Sequence, residues 1–240
     1  MPRWGEARAL YALLTVQAQD KSYIDVTNDS LISVATDYYQ RKGQPLRRLQ
    51  AFYYHGLVYQ RKGSSHDALV YYTRALDFVS KVEVPYPIAL LMAQLGILYG
   101  NVYDYSQALS YMESALHYYT IAGKERMQNI TKRNLAKTYL NMNDFSQAEK
   151  LLHEVLEWGE ANKDTYIIYS TLRLLFRLYD GVGDFGSLNH LLESYPLNTF
   201  ERFTDIYAIA ARFYAINNDI PLATQTLSQA WNMSSNANDT

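Results

Sequence analysis

The 240-residue chain has no cysteine, which excludes disulfides, thiolate metal sites and thiol catalysis and is compatible with an oxidising or a reducing compartment alike. It has no excess of positive charge: 22 basic against 24 acidic residues give a net charge of −2, which is no footprint for nucleic acid. No apolar run approaches the ~18 residues of a membrane span, so no part of this segment is expected to insert into a bilayer. Catalytic constellations are missing too. His55, His66, His117, His153 and His190 fall one per segment, with no His-x3-His pair and no acid at metal-ligand spacing. Gly181-Val182-Gly183 lacks the third glycine of a dinucleotide fingerprint and follows a helical pattern rather than a strand. The expectation is a protein without enzymatic activity, metal or cofactor.

What is present is a repeat. In the stretch from Leu91 to Leu116, Gly96 is followed by Tyr99, Ala108, Met112 and Ala115, an order that fits two helices packed face to face across a turn. A shift of 40 residues back gives Gly56, Tyr59, Ala68, Tyr72 and Ala75, and 40 forward gives Ala136, Tyr139, Ala148, Leu152 and Val155. Another 40 gives Phe176, Tyr179, Leu188, Leu192 and Tyr195, and a step of 35 gives Ala211, Tyr214, Ala223, Leu227 and Ala230. The interval from the tyrosine to the first second-helix position is nine in every copy, so the hairpin is fixed and only the linker varies.

Met92-x2-Leu95-Gly96-x2-Tyr99 followed by Ala108-x3-Met112 and Ala115, and Phe52-x2-His55-Gly56-x2-Tyr59 with Ala68-x3-Tyr72 and Ala75, resemble the tetratricopeptide repeat over residues 49–233. The pattern departs from that family in two respects. The usual proline after the second helix is replaced by Ser80, Thr120 and Glu160, and the spacing is mostly 40 residues rather than about 34. The resemblance implies an all-α fold: a right-handed α-solenoid of antiparallel helix pairs, continuous over 1–240 as a single domain. Residues 1–44 form a degenerate first pair, 46–233 five repeats and 234–240 a tail.

Taken in order, Arg3 and Arg8 before the apolar residues 9–16 could pass for a signal peptide. The run is short, Glu6 sits in the basic region before it, and Ala9, Ala12, Leu13 and Val16 share one helical face, so a packing helix over 6–19 is preferred. Its partner spans 28–41, entered through Thr27-Asn28-Asp29-Ser30 and ended by Gly43. The remaining helices are predicted at 46–62, 66–81, 87–101, 105–122, 125–142, 146–160, 164–181, 185–194, 199–217 and 221–233. Gly63, Tyr103, Asn143, Gly183 and Asn218 stand where the first helix of each hairpin must stop, a place that commonly needs φ > 0. Ser64, Asp104, Asp144, Asp184 and Asp219 follow as N-caps of the second helix. Gly56, Gly96 and Ala136 should face Ala68, Ala108 and Ala148, and Tyr59, Tyr99, Tyr139, Tyr179 and Tyr214 should fill the space between hairpins with buried rings and partnered hydroxyls. The fourth copy has Phe176 and Leu188 at these small positions, so its helices should stand further apart and the solenoid should bend there.

In the resembling family the first helices line a concave groove. Carried over by register, the groove residues are Tyr53, Tyr54, Leu57, Gln94, Ile97, Asn101, Arg133, Asn134, Lys137, Arg173, Arg177 and Arg212. The basic ladder of Arg133, Lys137, Arg173, Arg177 and Arg212 has two readings, both open. It takes an acidic segment or C-terminal carboxylate of a peptide, or it is a solvated face paired with acids such as Asp180 and Glu201. The resemblance implies a protein- or peptide-binding scaffold. The alternative is a sensory or regulatory segment, because the tyrosine content and repeat length are also similar to the extracytoplasmic repeat regions of Bacteroides-type membrane-anchored regulators. On that resemblance the chain is a periplasmic fragment of a larger protein; otherwise it is cytoplasmic. The last helix, ending Ala230-Trp231-Asn232-Met233, has no polar cover after it, so self-association through it is a further expectation.

Overall fold

The computed structural model describes residues 4–200 and 203–238, the side chains of Trp4 and residues 236–238 excepted. It is all-α, and among the described residues there are twelve α-helices, two 3-10 turns and no strand. The chain divides into two compact units, Met1–Thr131 and Lys132–Thr240. The first holds α1 (Trp4–Lys21), α2 (Ser30–Tyr39), α3 (Pro45–Arg61), α4 (Ser65–Leu76), α5 (Pro85–Asn101) and α6 (Tyr105–Ile121). The boundary falls within α7 (Glu125–Asn141). The second unit goes on with α8 (Phe145–Ala161), α9 (Thr165–Val182), α10 (Phe185–Ser194), α11 (Thr204–Ile216) and α12 (Ile220–Asn238). Consecutive helices pack as hairpins: α1 on α2, α3 on α4 and α5 on α6 in the first unit, α9 on α10 and α11 on α12 in the second.

The turns share one hydrogen-bond pattern. The carbonyls of Tyr59, Tyr99, Tyr139, Tyr179 and Tyr214 accept from the N–H groups of Ser64, Asp104, Asp144, Asp184 and Asp219 at 2.9–3.0 Å. This is the six-to-one closure of a Schellman motif, which requires a left-handed residue just before the donor. That residue is Gly63, Tyr103, Asn143, Gly183 or Asn218, at φ between 61° and 81°. Tyr103 adopts the conformation although it is neither Gly nor Asn. The same closure joins one hairpin to the next at Gly123 and Lys163. Each aspartate then caps the following helix through its carboxylate: Asp104 accepts from Gln107 N, Asp144 from Gln147 N, Asp184 from Ser187 N and Asp219 from Leu222 N, at 3.1–3.2 Å. Ser64 departs from this expectation, since its hydroxyl donates to Asp67 instead of accepting a backbone N–H.

Between the helices of a hairpin the small residues meet as expected. A Cβ on Gly56 would lie 2.6 Å from the Tyr72 ring and 3.1 Å from the Ala68 carbonyl; on Gly96 it would lie 2.6 Å from Met112 Cγ and 3.2 Å from the Ala108 carbonyl. Ala68, Ala108, Ala136 and Ala148 are fully buried. Of the repeat tyrosines Tyr179 is buried, whereas Tyr59, Tyr99, Tyr139 and Tyr214 are only half-buried, short of the buried rings expected. Tyr59 donates to Asp29 and Tyr179 to Glu149, both at 2.9 Å, and Tyr59 and Tyr99 stack on Tyr71 and Tyr111 at 5.4 Å.

Three segments differ from the predicted helices. The helix expected over 66–81 stops at Leu76, and a 3-10 turn at Val79–Lys81 follows. The break turns Phe78 onto Phe52, stacked at 6.0 Å, beneath the Arg48 guanidinium. The helix expected over 199–217 begins at Thr204, preceded by a 3-10 turn at Leu197–Phe200 that inserts the fully buried Phe200 edge-on against Phe176 and Tyr169. The last helix runs to Asn238, so most of the expected tail is helical. Arg3 and Glu201, named in the sequence readings, lie outside the described residues.

His55 is buried between α2 and α3. The Thr36 hydroxyl donates to the Ile32 carbonyl, and its oxygen meets His55 Nδ1 at 2.8 Å, which leaves the buried Nε2 without a partner. Burial therefore pushes the imidazole down to about 4.

Gly56→Ala is expected to cost about 1–3 kcal/mol by overpacking against the buried Tyr72; a thermal melt unchanged from wild type would contradict the hairpin register. Lys163→Gly, at φ 53°, should gain about 1 kcal/mol by relieving a left-handed side-chain residue, read as a raised urea midpoint. His55 stays neutral in the fold at pH values where the unfolded chain protonates it. Its contribution is complete above about 6.5 and lost as pH falls toward about 4. Urea midpoints at pH 7, 5.5 and 4.5 should fall less steeply in His55→Leu than in wild type; parallel slopes would refute the assignment.

Candidate functional site

The second unit contains a cleft of ≈ 930 Å³ lined by Arg133, Asn134 and Lys137 of α7, by Thr165, Tyr166, Tyr169, Ser170, Arg173, Leu174 and Arg177 of α9, and by Asn198, Thr199 and Phe203. The helical period explains the α9 wall: positions 166, 169, 170, 173, 174 and 177 recur every three or four residues and so share one face. Register explains the pairing of walls. Arg133 and Arg173, like Lys137 and Arg177, occupy equivalent places 40 residues apart in two first helices.

The cations are held differently. Arg133 donates to Ser170 Oγ at 2.5 Å and to Asn134 Oδ1 at 3.3 Å, with its guanidinium 5.3 Å from the centre of the Tyr166 ring. Arg173 donates through Nε to Asp205 Oδ2 at 2.6 Å and lies 5.5 Å from the centre of the Phe203 ring. Lys137 and Arg177 are exposed, and among the described residues no acid pairs with either. Tyr166 is 55% exposed, so the cleft combines an accessible aromatic surface with positive charge. Guanidinium groups and exposed ring faces are chemistry that can hold an anion or a planar group by non-covalent contact. Among the described residues no group of three His, Asp or Glu side chains is placed to hold a metal.

The other sequence-predicted residues lie elsewhere. Tyr53, Tyr54 and Leu57 belong to the core of the first unit, 2–7% exposed, where Tyr53 packs on Tyr54 and Tyr72 at 4.9 and 5.9 Å. They are covered because α1 packs on α3, tied there by the ion pair of Arg61 with Asp20. Gln94 and Ile97 are half-buried on α5, and Asn101 is exposed at its end. Arg212 is outside the cleft: it pairs with Asp180 at 3.0 Å and borders a shallow apolar depression with Ala208, Ala211, Ala215 and Leu227. On α12, Leu227 and Trp231 are 58% and 74% exposed.

Sequence reasoning missed Tyr166, Tyr169 and Ser170, although stepping back from Arg173 by seven, four and three positions along the helix finds them. Asn198, Thr199 and Phe203 come from the connection before α11, where the repeat supplies no signal.

The family model of the tetratricopeptide repeat matches residues 131–157. No curated protein sequence matches the chain. Among solved structures, BtubC (BKLC) from P. vanneervenii is 17% identical with a TM-score of 0.68, covering 100% of this chain and 94% of that one. A Rap protein complexed with Competence and Sporulation Factor is 14% identical with a TM-score of 0.74, covering 98% of this chain and 67% of that one. A signal transduction ATPase with a tetratricopeptide repeat sensor from Pyrococcus horikoshii is 13% identical with a TM-score of 0.74, covering 92% of this chain and 35% of that one. At such identities the likeness concerns the fold. The repeat register, the five Schellman-closed hairpins, the matched segment and these neighbours agree that the chain is a tetratricopeptide-like helical-repeat protein.

Proposed function

We propose that the chain is a protein- or peptide-binding scaffold whose ligand lies in the cleft between α7 and α9 and presents acidic groups to it. The observation that carries this reading is the cleft itself. Five residues assigned to a groove from register alone, Arg133, Asn134, Lys137, Arg173 and Arg177, line one cavity of ≈ 930 Å³ together with two tyrosines and a phenylalanine. A volume of that order suits several residues of an extended chain, and mixed aromatic and basic walls suit a peptide with apolar and acidic side chains. The solved Rap protein, which holds a Competence and Sporulation Factor, lends the reading support from the same fold.

A second reading is a sensory segment within a larger signalling protein. It is supported by the likeness to the signal transduction ATPase, whose repeat region is a sensor. It predicts membrane or output segments in the gene beside this one.

On a peptide array, acidic or free-carboxylate peptides should bind the wild-type chain more strongly than neutral ones, and more weakly as salt rises. Arg133→Glu/Arg173→Glu/Arg177→Glu should abolish that preference while remaining folded. No binding by wild type, or binding indifferent to the triple substitution, would refute the cleft as the ligand site and favour the sensory reading.

A further inference from the structure

The first and the last hairpin each expose an apolar face that the hairpins between them cover. Tyr11 of α1 holds the place of Ala51, Leu91, Thr131, Thr171 and Ile206 in the later first helices, all 0–2% exposed, yet it is itself 68% exposed. The later first helices pack on the second helix before them, as α3 does on α2, α5 on α4 and α9 on α8. Among the described residues α1 has no such helix before it. It is nevertheless apolar on two sides. Ala9, Ala12, Leu13 and Val16 are buried on the inner side, while Tyr11, Leu14, Ala18 and Ile24 border an outward hollow of ≈ 480 Å³ whose walls carry no charge. A helix apolar all round is one that packs on both sides.

The last hairpin is the counterpart. Leu227 of α12 holds the place of Tyr72, Met112 and Leu152, which are 0–3% exposed, and of the half-buried Leu192, but is itself exposed, as is Trp231 one turn on. Two hollows of ≈ 410 and ≈ 380 Å³ flank Leu227, and Ala208 borders both. Each has one charged residue in its wall, and both charges are already answered within the chain, Arg212 by Asp180 and Asp205 by Arg173. From Ile220 to Asn238 α12 has no ionisable residue at all. Such a face offers little to a charged ligand; depletion of charge around an exposed aromatic marks the centre of a protein interface.

We propose that the outer face of α1 in one copy of the chain docks on the α11–α12 face of a second copy, in the place that a following first helix takes within the chain. The occupant follows from continuity with the contact between hairpins. The last hairpin lacks a first helix with an apolar outer face, and α1 lacks a second helix before it. The packing of α5 on α4 and of α9 on α8 is the same contact made inside one chain. Size agrees: the large Tyr11 meets hollows bordered by alanine, and Trp231 meets a face where Ala18 and Ser22 are small. The contact is heterologous, using a different surface of each copy. None of its residues lines the cleft between α7 and α9, so it stands independently of the peptide-binding reading.

The test is sedimentation velocity on the full 240-residue chain. Between about 10 μM and about 1 mM, wild type should pass from the mass of one chain to a larger one. Tyr11→Lys/Leu14→Lys blocks the α1 face and Leu227→Lys/Trp231→Lys the α12 face. Each variant alone should keep the mass of one chain, the contact being weakened by more than about tenfold. An equimolar mixture of the two should form a one-to-one pair, because one keeps its α12 face and the other its α1 face. Val102→Lys, at an exposed apolar position on neither face, should associate as wild type does. All four substituted side chains are exposed, so helicity and melting temperature should match wild type, and Tyr11→Lys and Trp231→Lys singly repeat the test. Wild type that stays one chain at about 1 mM would overturn the proposal. So would a mixture that fails to pair, a Tyr11→Lys/Leu14→Lys variant that still dimerises, which would mean that α12 pairs with itself, or equal loss in Val102→Lys, which would mean unspecific adhesion.

Discussion

Two helices approach only as closely as the side chains between them permit, and this contact governs the rest of the structure. At Gly56 and Gly96 the second helix comes so near that no Cβ fits without displacing Tyr72 or Met112. The opposing positions, Ala68 and Ala108, are fully buried. Close approach fixes the hairpin geometry, which fixes where the turn must lie and how the chain must reverse. In the fourth copy Phe176 and Leu188 stand at the small positions, and the chain answers with Phe200, which closes on Phe176 from a 3-10 turn rather than from a helix.

The turn carries the same constraint in backbone terms. One tyrosine per copy offers its carbonyl to a residue five places on, and that residue's carboxylate in four of the five copies starts the next helix. A single aspartate thus ends one helix with its N–H and begins another with its side chain. Ser64 can do only the first of these, since its hydroxyl donates to Asp67. The left-handed conformation at Tyr103 and Lys163 shows the tertiary contact overruling local preference: the hairpin closes whether or not the residue there suits it.

The hairpins, turns and caps were legible because each is specified by short-range chemistry repeated five times, so a weak signal in one copy was corrected by the others. The cleft was legible in half. Arg133, Lys137, Arg173 and Arg177 follow from register, but the aromatic wall needed the helical face of α9 to be traced back from Arg173, and Phe203 belongs to a connection outside the repeat. Tyr53, Tyr54 and Leu57 were misplaced for a physical reason. Register alone places them on the face that elsewhere stays open, but here α1 lies over it, and its contribution is invisible to an alignment of repeats because residues 1–44 do not follow the repeat. Charge pairing was legible only in part: Asp180 was among the acids expected to answer the ladder and it pairs with Arg212, while Asp205, the partner of Arg173, was not named, because which side chains meet depends on where α11 falls beside α9.

The nine-residue interval between the tyrosine and the small residue of the second helix has a consequence for how such a chain can change length. One residue added inside that interval would turn the second helix by about 100° and carry Ala68 or Ala108 off the contact, replacing it with a neighbour too large to fit. The same addition between hairpins only lengthens a helix end or a connection. The spacing of 35 rather than 40 residues before the last copy, with its nine-residue interval intact, is what such a filter leaves behind. Insertions and deletions over evolutionary time should therefore collect in the linkers, where they move whole hairpins as units and leave the contact within each untouched.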